Sequence, residues 1–221
     1  MDNPRLMTKE NLNIVIIRHN QRVLDNAPLY YASQENSKVL AIYSKEIINS
    51  KNKFQTQFIY QSLANLEKNL KQFNINLTIV ESIDTYLELL SISYKLKIFY
   101  EKEVGIDEKK FELILHKYPH KEYFNQTMIE PFSFDHTKSF SHFRKKAEKL
   151  AIPKVLSKPN SCETIKIEKN CIFDEMDICF KGGVDDAIKR LDDYENYLHN
   201  YLDTRSLVDG LNNSTKFSPY L

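Results

Sequence analysis

Short apolar runs alternate along the chain with longer segments in which apolar residues recur every three or four positions. The runs at 13–18, 39–43, 76–80 and 97–100 are typical of buried parallel strands. The helical spacing is clearest between Phe54 and Phe73, and it recurs at 83–94 and 107–116. Strands that alternate with helices predict an α/β fold, in which a parallel sheet is covered by helices on both faces.

Two further elements are predicted beyond residue 120. A fifth strand is expected at 123–128, where it would extend the parallel sheet. A helix is expected at 139–150, because apolar residues again recur there at helical spacing. The inner side of this helix is expected to carry Phe140, Phe143, Ala147 and Leu150.

The periodicity is lost at 151–181, where Pro153 and Pro159 interrupt the chain. This segment is interpreted as a long connector that lies over the surface of the domain. Helical spacing returns after Gly182 and Gly183, which predicts a C-terminal helix. The predicted organisation is an α/β domain at 1–150, an interdomain connector at 151–181 and the start of a helical domain at 182–221.

The composition is that of an ordinary globular protein. Hydrophobic residues make up 42% and charged residues 28% of the 221 residues, which argues against wholesale disorder. The formal net charge of +1 does not mark the whole chain as a binder of nucleic acid or membrane. No secretion signal and no stretch long enough to span a bilayer is found. Three cysteines without a CxxC pair, Cys162, Cys171 and Cys179, favour reduced thiols and a cytoplasmic location.

Two groups of polar residues have a spacing that suggests a site. His116 and His120 have helical spacing, but Pro119 between them spoils the geometry of a metal pair, so surface histidines are favoured and no metal site is predicted. The basic residues at 144–149 suit contacts with DNA phosphates. Because Glu148 interrupts them and no aromatic residue is offered for stacking, a solvated helix face is favoured.

The closing residues carry a start signal for a helix. Ser218 is suited to the N-cap and Pro219 to the first helical position. A helix gains stability only after a full hydrogen-bonded turn has formed, and the chain ends at Leu221. The sequence therefore predicts a helix that continues beyond this chain, which is expected to be truncated.

Three segments, in order along the chain, carry recognisable motifs. The first pairs Arg-x-x-x-Arg with Asp-Asn-x-x-Leu, and its matching residues are Arg18, Arg22, Asp25, Asn26 and Leu29. The second contains Glu130-Pro131-Phe132 and Phe-Arg-Lys-Lys-Ala-Glu at 143–148. The third reads Gly-Gly-x-x-x-Ala-x-x-Arg-Leu from Gly182, then Tyr-x-x-Thr-Arg from Tyr201, then Ser-Thr-Lys-Phe-Ser-Pro from Ser214. Together they resemble the photolyase/cryptochrome family, and the DASH-type cryptochromes most closely.

The resemblance covers the chain from about Asn13 to its last residue, and it departs from the family pattern at two positions. Ile17 stands where the family has an aromatic residue, and Asn20 stands where it has an acid. The resemblance implies an N-terminal α/β domain with a Rossmann-like, five-stranded parallel sheet, in agreement with the periodicity. A long connector and a C-terminal helix are then expected to follow.

The resemblance also implies a flavin site near the C-terminal end of the chain. In the family, the Thr-Lys-Phe-Ser segment and a preceding tyrosine help to hold the diphosphate of FAD. The corresponding residues here are Tyr201, Ser214, Thr215, Lys216, Phe217 and Ser218. Hydroxyl groups, an ammonium group and a helix start suit a phosphate, whereas a simple capped helix start is the alternative without a ligand.

A second chromophore is implied for the α/β domain, which in the family often carries an antenna, commonly a folate. Glu103 falls near the carboxylate with which DASH-type members contact the antenna. Loops at the carboxyl ends of parallel strands are where such sheets bind ligands. The alternative, which the residues alone favour, is an exposed acid on the loop between a strand and a helix.

The activity implied by the resemblance is the light-driven, FAD-dependent repair of pyrimidine dimers in DNA. In the family, the lesion pocket, most flavin contacts and the electron-relaying tryptophans belong to the helical half, and this chain contains no tryptophan. No catalytic residue is therefore assigned, and the chain alone is expected to be inactive. Three hypotheses remain: a photolyase whose helical half is lost or separately encoded, a stand-alone antenna-binding or nucleotide-binding module, and a non-functional remnant.

Overall fold

A parallel sheet of five strands occupies the centre of the molecule. A computed structural model describes residues 9–130, 139–165, 167, 180–207, 213–217 and 220. The strands are β1 (Glu10–Ile17), β2 (Lys38–Ser44), β3 (Asn76–Val80), β4 (Tyr94–Glu101) and β5 (His120–Tyr123). Their order is β3-β2-β1-β4-β5, and every neighbouring pair is parallel. The predicted α/β fold with a five-stranded, Rossmann-like parallel sheet is confirmed.

Four helices connect the strands and cover both faces of the sheet. They are α1 (Ala27–Gln34), α2 (Lys53–Leu70), α3 (Ile83–Ser93) and α4 (Ile106–Leu115). α1 and α2 pack on one face, where Leu29 and Leu63 are fully buried, and α3 and α4 pack on the other, where Leu87 and Leu115 are fully buried. The core is therefore two apolar layers that share one sheet.

Local signals explain where two of these helices begin. Asn26 caps α1, because its side-chain oxygen accepts a hydrogen bond from the Leu29 N–H at 3.1 Å, and Pro28 lies in the first turn. Asn52 and Gln55 form a capping box at the start of α2. The sequence pattern did not predict α1, because the first six residues of APLYYASQ are all apolar or aromatic and show no distinct helical stripe.

Two predicted elements are corrected by the structure. The fifth strand lies at His120–Tyr123 and not at 123–128. It is an edge strand with the polar sequence HKEY, so no apolar run marks it. The helix at 139–150 exists as α5 (Phe140–Ala147), but the expected inner side is wrong, because none of its residues is buried and Phe140 is 76% exposed.

The described residues after 150 comprise an irregular stretch and two helices. Residues 151–165 contain no helix or strand, and Ile165 is buried under the α3 and α4 face. The predicted C-terminal helix is present as α6 (Val184–Glu195), and a short α7 (Tyr201–Thr204) follows. Within the described part of the chain, no helix is long and apolar enough to cross a membrane.

Candidate functional site

The strand order opens a crevice between the ends of β1 and β4. From β1 the chain moves through β2 to β3 on one side, and it then returns to place β4 and β5 on the other. The loops that follow β1 and β4 therefore leave the sheet towards opposite faces. In open α/β sheets, ligands bind at the carboxyl ends of the strands where the order reverses in this way.

Two buried asparagines hold the loop that follows β1. The Asn20 side chain accepts a hydrogen bond from the Arg18 N–H at 3.0 Å, and Asn26 donates to the carbonyl oxygens of Asn20 and Arg22 at 2.8 and 2.9 Å. Asn20 and Asn26 are only 2% and 1% exposed. Because the loop is fixed from inside, it places Arg18 at the crevice.

Glu103 faces Arg18 across this crevice. Its Oε2 lies 3.5 Å from Arg18 Nη2, and the side chains are 7% and 16% exposed. Glu108 lies 3.7 Å from the same nitrogen, and the guanidinium carbon stands 4.9 Å from the centre of the Phe111 ring. Burial raises the pKa of Glu103, and the positive charge of Arg18 opposes that rise. The expectation of an exposed acid is therefore wrong: Glu103 is a buried, paired carboxylate.

A small cavity of about 10 Å³ lies beside this pair. Its lining residues include Arg18, Asn20 and Glu101, whose Nε, Nδ2 and Oε1 atoms are buried and have no hydrogen-bond partner among the described residues. Burial raises the pKa of Glu101 to about 7. The volume suits one water molecule, and a folate ring would contact Glu103 only after the partly exposed Glu108 and Arg18 side chains had moved.

A larger cavity of about 200 Å³ lies on the other side of the loop that follows β1. His19, Gln21 and Arg22 form its polar wall, and Phe58 and Tyr220 contribute aromatic rings. Successive residues of this loop point to different cavities: Arg18 and Asn20 line the small one, whereas His19 and Gln21 line the large one. The carboxyl edge of the sheet thus offers a small cavity rich in acidic residues and a larger one with polar and aromatic walls.

The predicted flavin segment lies against α6. Arg190 on α6 donates from Nε to the carbonyl oxygen of Thr215 at 3.0 Å and from Nη2 to that of Ser214 at 3.1 Å. Lys216 adopts a left-handed backbone with φ 55°. The hydroxyls of Ser214 and Thr215 and the ammonium group of Lys216 are donors of the kind that a diphosphate requires, so the chemistry of the segment fits FAD.

The predicted site residues do not form one cluster. Tyr201 lies in α7 with 38% of its surface exposed, and Phe217 lies 6.4 Å from Tyr220 between ring centres. Ser218 lies outside the described residues. Glu103 lies at the crevice, where it meets Arg18. Arg18 and Arg190 belong to the sequence motifs, but the sequence predicts no role for either. Apart from their positive charge, nothing in the sequence marks them as site residues.

The two weaker groups of polar residues lie at the surface. The rings of His116 and His120 stack 4.3 Å apart on the surface, and His116 Nε2 lies 2.8 Å from the hydroxyl of Tyr100. Among the described residues, no group of three or more histidines, cysteines and acids is placed to hold a metal. The basic residues of α5 lie on a solvent-exposed face, where Arg144 pairs with Glu148 at 3.2 Å.

Comparison with known proteins identifies one family. The family model described as DNA photolyase matches residues 13–161. A Cryptochrome DASH from Idiomarina loihiensis is 28% identical over 98% of this chain and 55% of its own length, and one from Gloeobacter violaceus is 23% identical over 94% and 50%. The chain thus spans about half the length of the curated relatives it matches.

Solved structures show the same fold. A cryptochrome of Synechocystis sp. superposes with a TM-score of 0.79 at 23% identity, over 97% of this chain and 53% of that one. An archaeal photolyase from Sulfolobus tokodaii, described with two FAD molecules, gives a TM-score of 0.76 at 19% identity, over 95% of this chain and 51% of that one. At sequence identities this low, the structural similarity shows a shared fold and no more.

Proposed function

The chain belongs to the DNA photolyase family, and from this membership we propose that it forms the N-terminal portion of a light-driven, FAD-dependent photolyase or DASH-type cryptochrome that acts on pyrimidine dimers in DNA. The likeness to the DASH cryptochromes supports this proposal. The structural observation that supports it is the buried cluster of Arg18, Asn20 and Glu101 beside Glu103. Each of these three residues has a buried polar atom without a partner among the described residues, at the crevice where a parallel sheet binds ligands.

We assign the diphosphate of FAD to the segment at α6. When bound, FAD supplies the photochemistry by electron transfer from its excited state. The hydroxyl of Thr215 and the ammonium group of Lys216 are suited to bind and orient the phosphates. The full set proposed for this role is Tyr201, Ser214, Thr215, Lys216, Phe217 and Ser218. The remaining walls of the flavin site are proposed to come from a helical half, either in the same chain or in a separate one, so the 221 residues alone do not repair DNA.

An antenna, a folate by family precedent, is proposed at the carboxyl edge of the sheet. Glu103 is the proposed contact, and it becomes reachable when Glu108 and Arg18 swing outwards. Glu108 pairs with Arg18 at 3.7 Å and is 29% exposed, so its outward movement costs little. The ligand must replace the charge of Arg18 beside the buried Glu103, because an unpaired carboxylate is costly there. The carboxylate oxygens of Glu103 are suited to accept hydrogen bonds from the N–H groups of a pterin ring.

The alternative is a stand-alone chromophore-binding or nucleotide-binding module. One observation favours it: the crevice is built from Arg18, Asn20, Glu101, Glu103 and Glu108, all within the α/β body. Such a module would hold its ligand without any helical half.

The proposed function is tested with the purified chain and with a fusion of the chain to the helical half of the Idiomarina loihiensis relative. We expect light-dependent repair of a dimer-containing oligonucleotide by the fusion only. In the fusion, the double variant Thr215→Val, Lys216→Gln should weaken FAD binding about tenfold, measured by flavin fluorescence. The control Lys189→Gln removes an exposed cation of α6 and should not change it.

The antenna site is tested separately by near-ultraviolet absorption of the chain after incubation with a reduced folate. Glu103→Gln should reduce folate binding about tenfold, whereas Glu122→Gln should leave it unchanged. Folate binding by the isolated chain together with an inactive fusion would favour the stand-alone module. A fusion that binds FAD but does not repair the oligonucleotide would contradict the proposed activity.

A further inference from the structure

Arg190 fixes two consecutive peptide units of the proposed flavin segment. Its Nε and Nη2 donate to the carbonyl oxygens of Thr215 and Ser214 at 3.0 and 3.1 Å. The guanidinium carbon lies 5.8 Å from the ring centre of Tyr194, which is only 4% exposed. The planar guanidinium therefore contacts a buried ring and hydrogen-bonds the segment from the side of α6.

These two hydrogen bonds determine the direction in which the N–H groups of the segment point. In a trans peptide unit the C=O and N–H bonds point in opposite directions, and the described residues contain no cis peptide bond. Since the carbonyls of Ser214 and Thr215 both point to Arg190, the N–H groups of Thr215 and Lys216 both point away from α6. In an extended strand, successive N–H groups would alternate in direction.

Two successive N–H groups on one side form an anion-binding concavity. The backbone of Thr215 sets the relative direction of these two N–H groups, and the next residue, Lys216, is left-handed with φ 55°. The hydroxyl of Thr215 and the ammonium group of Lys216 belong to the same two residues. The backbone and side-chain donors are thus offered by one short stretch of chain.

Resting on the FAD site proposed above, we propose that Arg190 is a positioning residue for the diphosphate. It acts through the carbonyls of Ser214 and Thr215, which it holds so that the N–H groups of Thr215 and Lys216 meet the phosphates. The role requires the guanidinium fork, because a lysine at this position carries a single compact charge on a flexible stem and does not hold two carbonyls at once.

The test uses inorganic pyrophosphate as the probe and the backbone amide resonances of the full chain as the readout. In the wild type, pyrophosphate should shift the amide resonances of Thr215 and Lys216. In Arg190→Lys, which keeps the charge, these shifts should need about tenfold more pyrophosphate. The amide resonances of β1 and the far-ultraviolet circular dichroism should stay unchanged, which separates positioning from a loss of fold. The control Lys189→Gln should respond as the wild type does.

Each outcome decides between the two proposals. If the wild type shows no shift at Thr215 and Lys216, both the flavin segment and the role of Arg190 are overturned. If Arg190→Lys binds pyrophosphate as the wild type does, the flavin segment stands and the positioning role is wrong. If Arg190→Gln alone loses binding while Arg190→Lys keeps it, Arg190 contributes charge rather than geometry, which also overturns the positioning role.

Discussion

Asn20 shows how one residue sets the chemistry of the crevice. The family motif has an acid at this position, and the Asn20 oxygen accepts the Arg18 N–H at 3.0 Å, as a carboxylate oxygen would. Glu101 and Glu103 already line the same cavity, so an amide avoids another negative charge there. Ile17, the other departure from the motif, is fully buried. Packing therefore accommodates Ile17, whereas the buried Nδ2 of Asn20 has no hydrogen-bond partner among the described residues.

Glu101 gives the crevice a pH dependence that stability measurements can detect. Its pKa is about 7 in the folded protein against 4.5 for the free side chain, so the folded state binds more protons between these values. Wild-type stability therefore falls as pH rises through this window. Glu101→Gln removes this fall. Its free energy of unfolding, relative to that of the wild type, should therefore rise by on the order of 2 kcal/mol between about pH 5 and pH 8. Urea unfolding at both pH values measures the gain.

Glu122→Gln is the matched control for Glu101→Gln. The hydrogen bond from Lys102 lowers the pKa of Glu122, so its carboxylate stabilises the fold above the unfolded pKa and loses that contribution as pH falls. The sign is opposite to that of Glu101. An unchanged difference between wild type and Glu101→Gln across the pH range would contradict the burial of Glu101.

At the scale of elements, the docking of α6 on α2 depends on two glycines. The N–H of Gly182 donates to Gln61 at 2.9 Å, and that of Val184 donates to Asn65 at 3.1 Å. A Cβ on Gly182 would lie 2.0 Å from the backbone oxygen of Phe58. Gly183 has φ 116°, which disfavours any side chain. The Gly-Gly motif is therefore explained by close contact and by backbone conformation.

Gly182→Ala should detach α6, because the backbone of α2 does not move aside. We expect a loss of about 1–3 kcal/mol in the docking of α6. Amide hydrogen exchange of α6 measures this loss, and the exchange of β1 should remain slow. Gly105→Ala is the control: its Cβ would meet the carboxylate of Glu108, the end of a flexible side chain that turns away easily. Equal effects of the two variants would contradict the docking argument.

The short α5 behaves differently from the other helices. Its apolar residues were expected to face the core, yet Phe140 is 76% exposed. Helical spacing of apolar residues shows that a helix has an apolar side, but it does not supply the surface that covers that side. Nothing among the described residues buries it.

At the scale of the whole molecule, one sheet joins two apolar layers. Leu63 of α2 and Leu87 of α3 are fully buried on opposite faces. Because both layers pack on the same strands, neither face is expected to unfold without the other.

Leu63→Ala and Leu87→Ala should each lower the free energy of unfolding by about 2–5 kcal/mol. Each variant should unfold in a single transition in urea, followed by far-ultraviolet circular dichroism. Leu202→Ala in α7, where the side chain is 78% exposed, should change stability by no more than about 0.5 kcal/mol. Separate transitions for the two faces would contradict the shared-sheet argument.

The predictable part of the fold is the part encoded by local periodicity. β3 was predicted with its observed bounds, and α2 and α3 within a few residues. A buried strand or an amphipathic helix is recognisable because the spacing of its own apolar residues follows the period of the element. β5 was displaced and α1 was missed, because a polar edge strand has no apolar run and a helix that begins with six apolar or aromatic residues has no distinct polar side. Their positions are set by the neighbouring strand and by the Asn26 cap.

The sequence by itself determined the parallel α/β architecture and the kinship with photolyases, because both are carried by residues close together along the chain. Only the tertiary structure decided that Glu103 is buried beside Arg18, that Glu101 holds its proton near neutral pH, and that Arg190 grips the backbone of Ser214 and Thr215. Burial and hydrogen bonding depend on groups brought together from distant positions. A pattern of single residues therefore does not specify them.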